Sequence, residues 1–481
     1  MPVVQIPIAN GFYESESLPI SAQECVNWYP NIVQSAGLTQ ESLFGTPGTK
    51  ELATTGLIVQ QNRGAHVKAG LAYFVNGGSL YILNRIIAGD GSESFTTTSL
   101  GAVEGNGGVS IADNGKQLMI LVPGGKGYIY DETAGTPFLE ITDLDFNANG
   151  APQYVVFVDG YFAVTTDSKK WIISALNDGN SWNALDFGSA ESDPDDIVAP
   201  IVFRNRIFIT GSETTEAFQN SPNGSGFPFI RSGIFINKGC FAPLSLISAN
   251  NTFMMIGGGR NETPAIWEFT GSSFSKVSTT AIDNVLSGFT KEVIADAFSF
   301  SYADKGAYFI GFTISDFTII YDVIAQRWHE RKSTVNDAQV RWRVNSLVTA
   351  YGRILVGDSQ DGRIGELSSD IYTEYGDNIQ RVIATQPFSN LGNSIKVSKI
   401  EITVESGVGN SDRTDPVISL DISDDGKTFN YERPRSMGKV GEYDRRAVWY
   451  RNGRAPRFRI MRFKMSDPVK PVIIKAEASV M

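Results

Sequence analysis

Histidine and cysteine are almost missing: 481 residues contain only His66, His329, Cys25 and Cys240. A structural zinc site wants four nitrogen or sulfur ligands, and these residues sit far apart with no CxxC or HxxxH spacing. A hydrolase triad needs a histidine base beside a nucleophile, and neither histidine has that context. His329 follows Trp328 in a strand-like run and His66 opens another, so both read as structural. No apolar run approaches the roughly 18 residues of a membrane helix. The opening Met1-Pro2-Val3-Val4-Gln5 has no basic stretch leading into an apolar one, so no signal peptide is expected. Synthesis in a cytoplasm follows, where the two cysteines stay free thiols. Positive charge is scarce as well. With 41 Lys and Arg against 52 Asp and Glu the net charge is −11, which argues against a general nucleic-acid coat.

What the chain does have is turn residues and strand formers. Hydrophobic residues are 42% and aromatics 11%, enough for real cores, and the 48 glycines point to many tight turns between short strands. The length suits two to four domains unless one large β architecture takes most of it. Aromatic-bearing strands recur at positions 81, 128, 171, 217, 267, 320 and 365, in steps of 47, 43, 46, 50, 53 and 45. Their mean of about 47 lies in the range of propeller blades. The unit interior repeats too. Val109–Asp113, the turn Asn114-Gly115, Gln117–Val122, Gly124-Gly125 and Tyr128–Tyr130 give strand, hairpin, strand, turn, landmark strand. Tyr154–Val158, Asp159-Gly160, Tyr161–Thr165 and Trp171–Ser174 repeat that order. The expectation is an all-β protein whose residues 46–375 form a β-propeller of about seven blades. One insertion, Ser287–Ala297, can form a short helix with Thr290 as its N-cap and Glu292 in the first turn. Residues 1–45 read as an irregular arm lying on a surface. From 376 to 481 a new β pattern suits a C-terminal β-sandwich, with strands over Ile395–Val404, Val417–Ser423, Ala447–Tyr450, Arg457–Lys464 and Val472–Ala476.

Charge divides the chain. Residues 376–481 hold 18 Lys and Arg against 13 Asp and Glu, whereas the first 375 hold 23 against 39. Between Lys427 and Lys475 there are 14 basic and 4 acidic residues, dominated by Arg445, Arg446, Arg451, Arg454, Arg457, Arg459 and Arg462. Arginine favours fixed planar contact with carboxylate, phosphate or carbonyl groups. Three readings stand: a solvated sheet face, an interface to an acidic protein surface such as a neighbouring copy, or contact with DNA. For the last, stacking aromatics are interleaved only at Trp449 and Tyr450.

Catalysis finds little support. Ser174–Trp182 is similar to the Asp-box hairpin of sialidase blades, in which an Asp-Gly turn is pinned by Ser and Trp, and Ser423–Phe429 is a looser cousin. That box is structural and marks a hairpin, not an active site. Glu191, Asp193, Asp195 and Asp196 cluster around Pro194, as a solvated loop or as oxygen ligands for Ca²⁺. No pair of carboxylates across a cleft is indicated. Gly257-Gly258-Gly259 and Gly124-Gly125 lack the Lys-Ser/Thr of a phosphate loop. No enzyme, metal or cofactor is expected.

Several stretches together resemble the tail-hub, or packaged-DNA stabilisation, proteins of short-tailed phages. They are Cys25–Pro30 with Leu43–Gly48, Ser181–Asp195 with Gly211–Glu216, and Lys238–Pro243. Further on come Phe289–Glu292, Tyr321-Asp322 and Arg327–His329, then Ser423–Lys427, Gly438–Arg446 and Ser466–Val469. The resemblance covers nearly the whole chain in order. It implies a structural virion protein made and assembled in the host bacterial cytoplasm, a hexameric ring below the portal and its adaptor. The ring would close the channel, anchor a tail needle or plug and fibres or tailspikes, and keep packaged double-stranded DNA from leaking without sequence-specific binding. The alternative is a glycan- or receptor-binding propeller module of a phage tail, which should be a compact monomer.

Overall fold

The computed structural model describes residues 2–32, 39–190, 195–221 and 226–480. It is 56% strand and 4% helix, as the strand-rich, glycine-rich composition requires. Alternating β-branched and aromatic residues make the strands, and residues able to hold positive φ make the hairpins. Asp159 and Gly160, at φ of 50° and 89°, turn Pro152–Val158 back on Tyr161–Thr166. Both positions of such a tight hairpin sit in the left-handed region, where Asp and Gly are tolerated and most residues are strained.

Among the described residues seven antiparallel units follow one another over 62–102, 110–140, 152–189, 197–236, 247–276, 298–330 and 344–368, each with four strands except the fifth, where Gly239–Cys240 also pairs with Thr252–Gly258. The first strand of each unit touches the first strand of the next, and Val344–Ala350 of the seventh returns to Asn62–Lys68 of the first. The chain therefore closes into a propeller. The seventh unit supplies only three strands from its own stretch. Its outer strand is Gly48–Thr54, paired antiparallel with Arg363–Ser368. Every landmark position of the repeat falls in the third strand of its unit, from Ser79–Ile87 in the first to Arg363–Ser368 in the seventh, which alone carries no aromatic residue.

The C-terminal residues form two facing sheets. One runs Ala447–Tyr450, Ile395–Val404, Val472–Val480, Glu41–Gly45 and Trp28–Ile32, with Val3–Ile6 also on Val472–Val480. The other runs Arg433–Ser436, Val417–Ser423, Phe458–Met465 and Arg381–Ala384, then Cys25–Val26. Cys25–Val26 lies parallel to Arg327–Glu330, the outer strand of unit six, so that sheet is continuous with the propeller.

Two expectations differ from what is found. The described residues of the stretch 1–45 do not lie as an arm on a surface. Cys25 and Leu43 are 0% exposed and Trp28 1%, in the core shared by the sandwich and units five and six. Their strands of two to five residues are too brief to display a period of two. The predicted helix is present as Lys291–Ala295, with Thr290 Oγ1 accepting from Val293 N. It is preceded by a longer helix, Thr280–Ser287, which the sequence reading missed and which ends at Gly288. Its buried Ala281, Ile282 and Leu286 make too short a stripe to stand out from the strands around it.

Asn27 pins the joint between the two lobes. It is fully buried at φ 57°, a conformation Asn tolerates, and its Nδ2 donates to Lys332 O at 2.9 Å and Gln380 O at 2.7 Å. Its Oδ1 accepts from Lys332 N. Two guanidinium groups lie nearby: Arg331 packs on the Trp342 ring and donates to Pro47 O, and burial with Arg331 close by pulls Arg381 down to about 9.

Candidate assembly surfaces

Residues bearing enzyme-like chemistry are absorbed by the fold. His329 is wholly buried against Phe309 and Tyr29, and burial pulls it down to about 3, so it stays neutral. His66 Nε2 lies 2.7 Å from Asp113 Oδ2, joining the inner strands of units one and two. Cys25 and Cys240 are buried free thiols, and burial pushes Cys240 up to about 12. Asp195 is a turn cap: its carboxylate accepts from Glu213 N at 2.8 Å and Thr214 N at 2.9 Å. Glu191 and Asp193 lie outside the described residues. In the Asp-box-like hairpin Trp182 Nε1 donates to Gly179 O at 2.9 Å, and Asp425 in the second accepts from Lys427 N and Thr428 N. Both are hairpin staples.

A hollow of about 700 Å³ lies at one end of the propeller axis, with Arg63, Asp296, Phe298, Ser315, Asp316 and Arg341 on its wall. Arg63 is engaged there, donating to Gly107 O, Val103 O and Gly77 O. Leu244, at the entry to unit five, reaches Gly108, at the entry to unit two, so closely that a Cβ on Gly108 would lie 2.4 Å from Leu244 Cδ1. Units two and five face each other across the ring, so this contact crosses the axis. A smaller charged hollow of about 260 Å³ lies in the joint, where Glu24 and Glu330 meet Lys332, Arg462 and Lys464. Burial raises both glutamates against the pull of those cations.

The seven arginines separate into two groups. Arg459 is buried, gripping Asp424 at 2.7 and 2.8 Å and donating to Asn452 O. Arg462 grips Asp421, reaches Glu24 at 3.6 Å and stacks 3.6 Å over the Phe429 ring. These two tie the sandwich to itself and to the N-terminal segment. Arg446 forks onto Glu401 at 2.5 and 2.6 Å, although its side chain remains 65% exposed. Arg454 bonds Ser394 Oγ and is exposed. Arg445, Arg451 and Arg457 are exposed, and among the described residues none of their guanidinium groups has a hydrogen-bond or ion-pair partner, although the Arg451 backbone N–H donates to Ser398 O.

Around the free guanidinium groups stand tyrosines that the sequence reading did not single out, apart from Tyr450. Tyr431, Tyr443 and Tyr450 are 77%, 76% and 64% exposed. Ala447–Tyr450 ends one sandwich sheet and Arg433–Ser436 ends the other, each at the limit of its sheet order away from the propeller. Arg435 Nε donates to Val448 O across the two edges. The result is a basic, tyrosine-bearing rim at the far end of the sandwich. A signal was present in the sequence: tyrosines set among arginines where the strand pattern has no core position for them.

Two family models match the chain, one described as the β-propeller of bacteriophage P22 Gp10 over residues 4–372, the other as its β-sandwich over residues 380–481. The tail hub protein gp10 of Salmonella phage P22 is 22% identical over 476 residues, covering 95% of each chain. Among solved structures, the computationally designed Ika8 protein aligns with a TM-score of 0.35 at 10% identity, over 66% of this chain and 99% of its own. PorZ, a surface component of the type-IX secretion system of Porphyromonas gingivalis, aligns at 0.37 and 9% identity, over 73% and 44%.

Proposed function

This chain belongs to the bacteriophage P22 Gp10 family, whose role is structural and non-enzymatic within a phage tail, and from that premise we propose that it is the hub beneath the portal and its adaptor. Six copies form a ring that closes the channel, retains the packaged DNA and carries the tail needle and the fibres or tailspikes. The observation that carries this reading is the end-to-end correspondence with a tail hub protein, across both lobes and in the same order.

The physical form supports it. A propeller leaves only short sheet edges, so copies can stand side by side without uncontrolled edge pairing. Leu244 crosses the propeller axis, so a passage for duplex DNA belongs between copies and not through one. The net negative charge of the propeller, 23 Lys and Arg against 39 Asp and Glu over the first 375 residues, disfavours adhesion of phosphate and suits DNA that slides without sequence-specific binding. Of the seven arginines, those exposed and not held by a carboxylate of the same chain, Arg445, Arg451, Arg454 and Arg457, serve assembly with a neighbouring copy or the adaptor. Phage particles made without this chain should lose their DNA to added nuclease, and adding purified protein to freshly filled heads should protect it. Heads that retain DNA equally well without the chain would refute the stabilising role.

A further inference from the structure

The charge of this molecule is sorted onto opposite sides. Residues 131–190, from the outer edge of unit two through unit three, hold nine acidic and two basic residues. The sandwich joins the propeller at unit six, through Cys25–Val26 beside Arg327–Glu330. Units two and three lie three places round the seven-unit ring from unit six, one in each direction. The acidic flank and the basic rim thus face away from each other across the whole molecule.

The acidic flank also carries apolar groups with no cover. Leu144 is 89% exposed and Leu185 78%. They stand on neighbouring elements, because the turn Leu144–Asn147 packs on the strand Asp178–Ser189 and Asp143 Oδ2 accepts from Trp182 N. Asp145 follows Leu144 on that turn and Asp186 follows Leu185 on that strand, and among the described residues neither has an ion-pair partner; Glu140, on the outer strand of unit two, adds a third carboxylate and feels only Lys126, which is itself paired with Glu104. Exposed leucines ringed by carboxylates complement tyrosines ringed by guanidinium groups, and Tyr and Arg are the residues that dominate protein interfaces.

We infer that the sandwich rim of one copy, through Tyr443, Arg445, Tyr450 and Arg451, docks on the Glu140–Asp145–Asp186 flank of the next copy. This rests on the ring reading above and names its contact. Two different patches on opposite sides make a head-to-tail interface, the kind that closes into a ring when the rotation per copy allows.

The test is a charge swap read by sedimentation velocity at low and physiological salt, alone and with the portal–adaptor assembly. Arg445→Glu with Arg451→Glu, and separately Glu140→Lys with Asp145→Lys and Asp186→Lys, should each weaken ring formation roughly tenfold or more while circular dichroism stays that of the parent. The chain carrying all five changes should assemble again. If a reversed chain misfolds, Arg445→Gln with Arg451→Gln, or Glu140→Gln with Asp186→Asn, takes its place with a smaller loss. Single-face variants that assemble like the parent, or a five-fold variant no better than either, would overturn the contact while leaving the ring. A parent that stays monomeric even with the portal–adaptor assembly would overturn the ring and this contact with it.

Discussion

Arg459 and Arg445 carry the same guanidinium into opposite surroundings, and nothing in their local sequence separates them. Arg459 is held on three sides, by both oxygens of Asp424 and by the Asn452 carbonyl. Removing it leaves a carboxylate and a buried carbonyl without their donor, so Arg459→Ala should cost about 3 kcal/mol of stability. Arg445→Ala removes no internal partner and should change stability by less than about 0.5 kcal/mol. Equilibrium denaturation of the two variants reads the difference, and equal losses would mean that the buried grip contributes nothing. The run of arginines was legible as a feature of this chain, but its division was not. Which side of a strand an arginine occupies depends on register, and the carboxylates at 401 and 421 come from other strands and the one at 424 from the turn after Val417–Ser423.

At the scale of elements, the repeat was legible because the third strand is largely buried in units two, three, four and six and carries an aromatic or large apolar residue in nearly every unit. Trp171 and Tyr128 are 0% and 3% exposed for that reason. The closing strand was not legible. Gly48–Thr54 lies about 300 residues before its partner strand, and no local pattern reports so distant a pairing. Its entry has no spare room: a Cβ on Gly48 would lie 2.4 Å from both Ile371 O and Thr373 O. Gly48→Ala must push two backbone segments apart where the seventh unit is completed. The expected cost is about 2 kcal/mol, typical of overpacking a tight site. Limited proteolysis should then cut first between the closing strand and unit one. A variant as stable and protease-resistant as the parent would show that the outer strand does not hold the ring shut.

At the scale of the whole molecule, the propeller and sandwich form one body because the N-terminal segment is sewn into both. Trp28–Ile32 and Glu41–Gly45 extend one sandwich sheet, Cys25–Val26 bridges the other to unit six, and Gly48–Thr54 completes unit seven. Such a body keeps its basic rim and acidic flank at a fixed separation, which an assembly repeated around an axis requires. The opposite signs of the two lobes were readable from composition alone. Their placement on opposite sides was not, because it follows from which blade the sandwich joins. Electron-microscopic imaging of the purified chain mixed with a portal–adaptor assembly decides whether this chain is the hub of a phage tail. A hub gives six copies in a closed ring seated on the adaptor, with the passage between copies on the portal axis; an unoccupied adaptor beside free monomers means that the chain has another place.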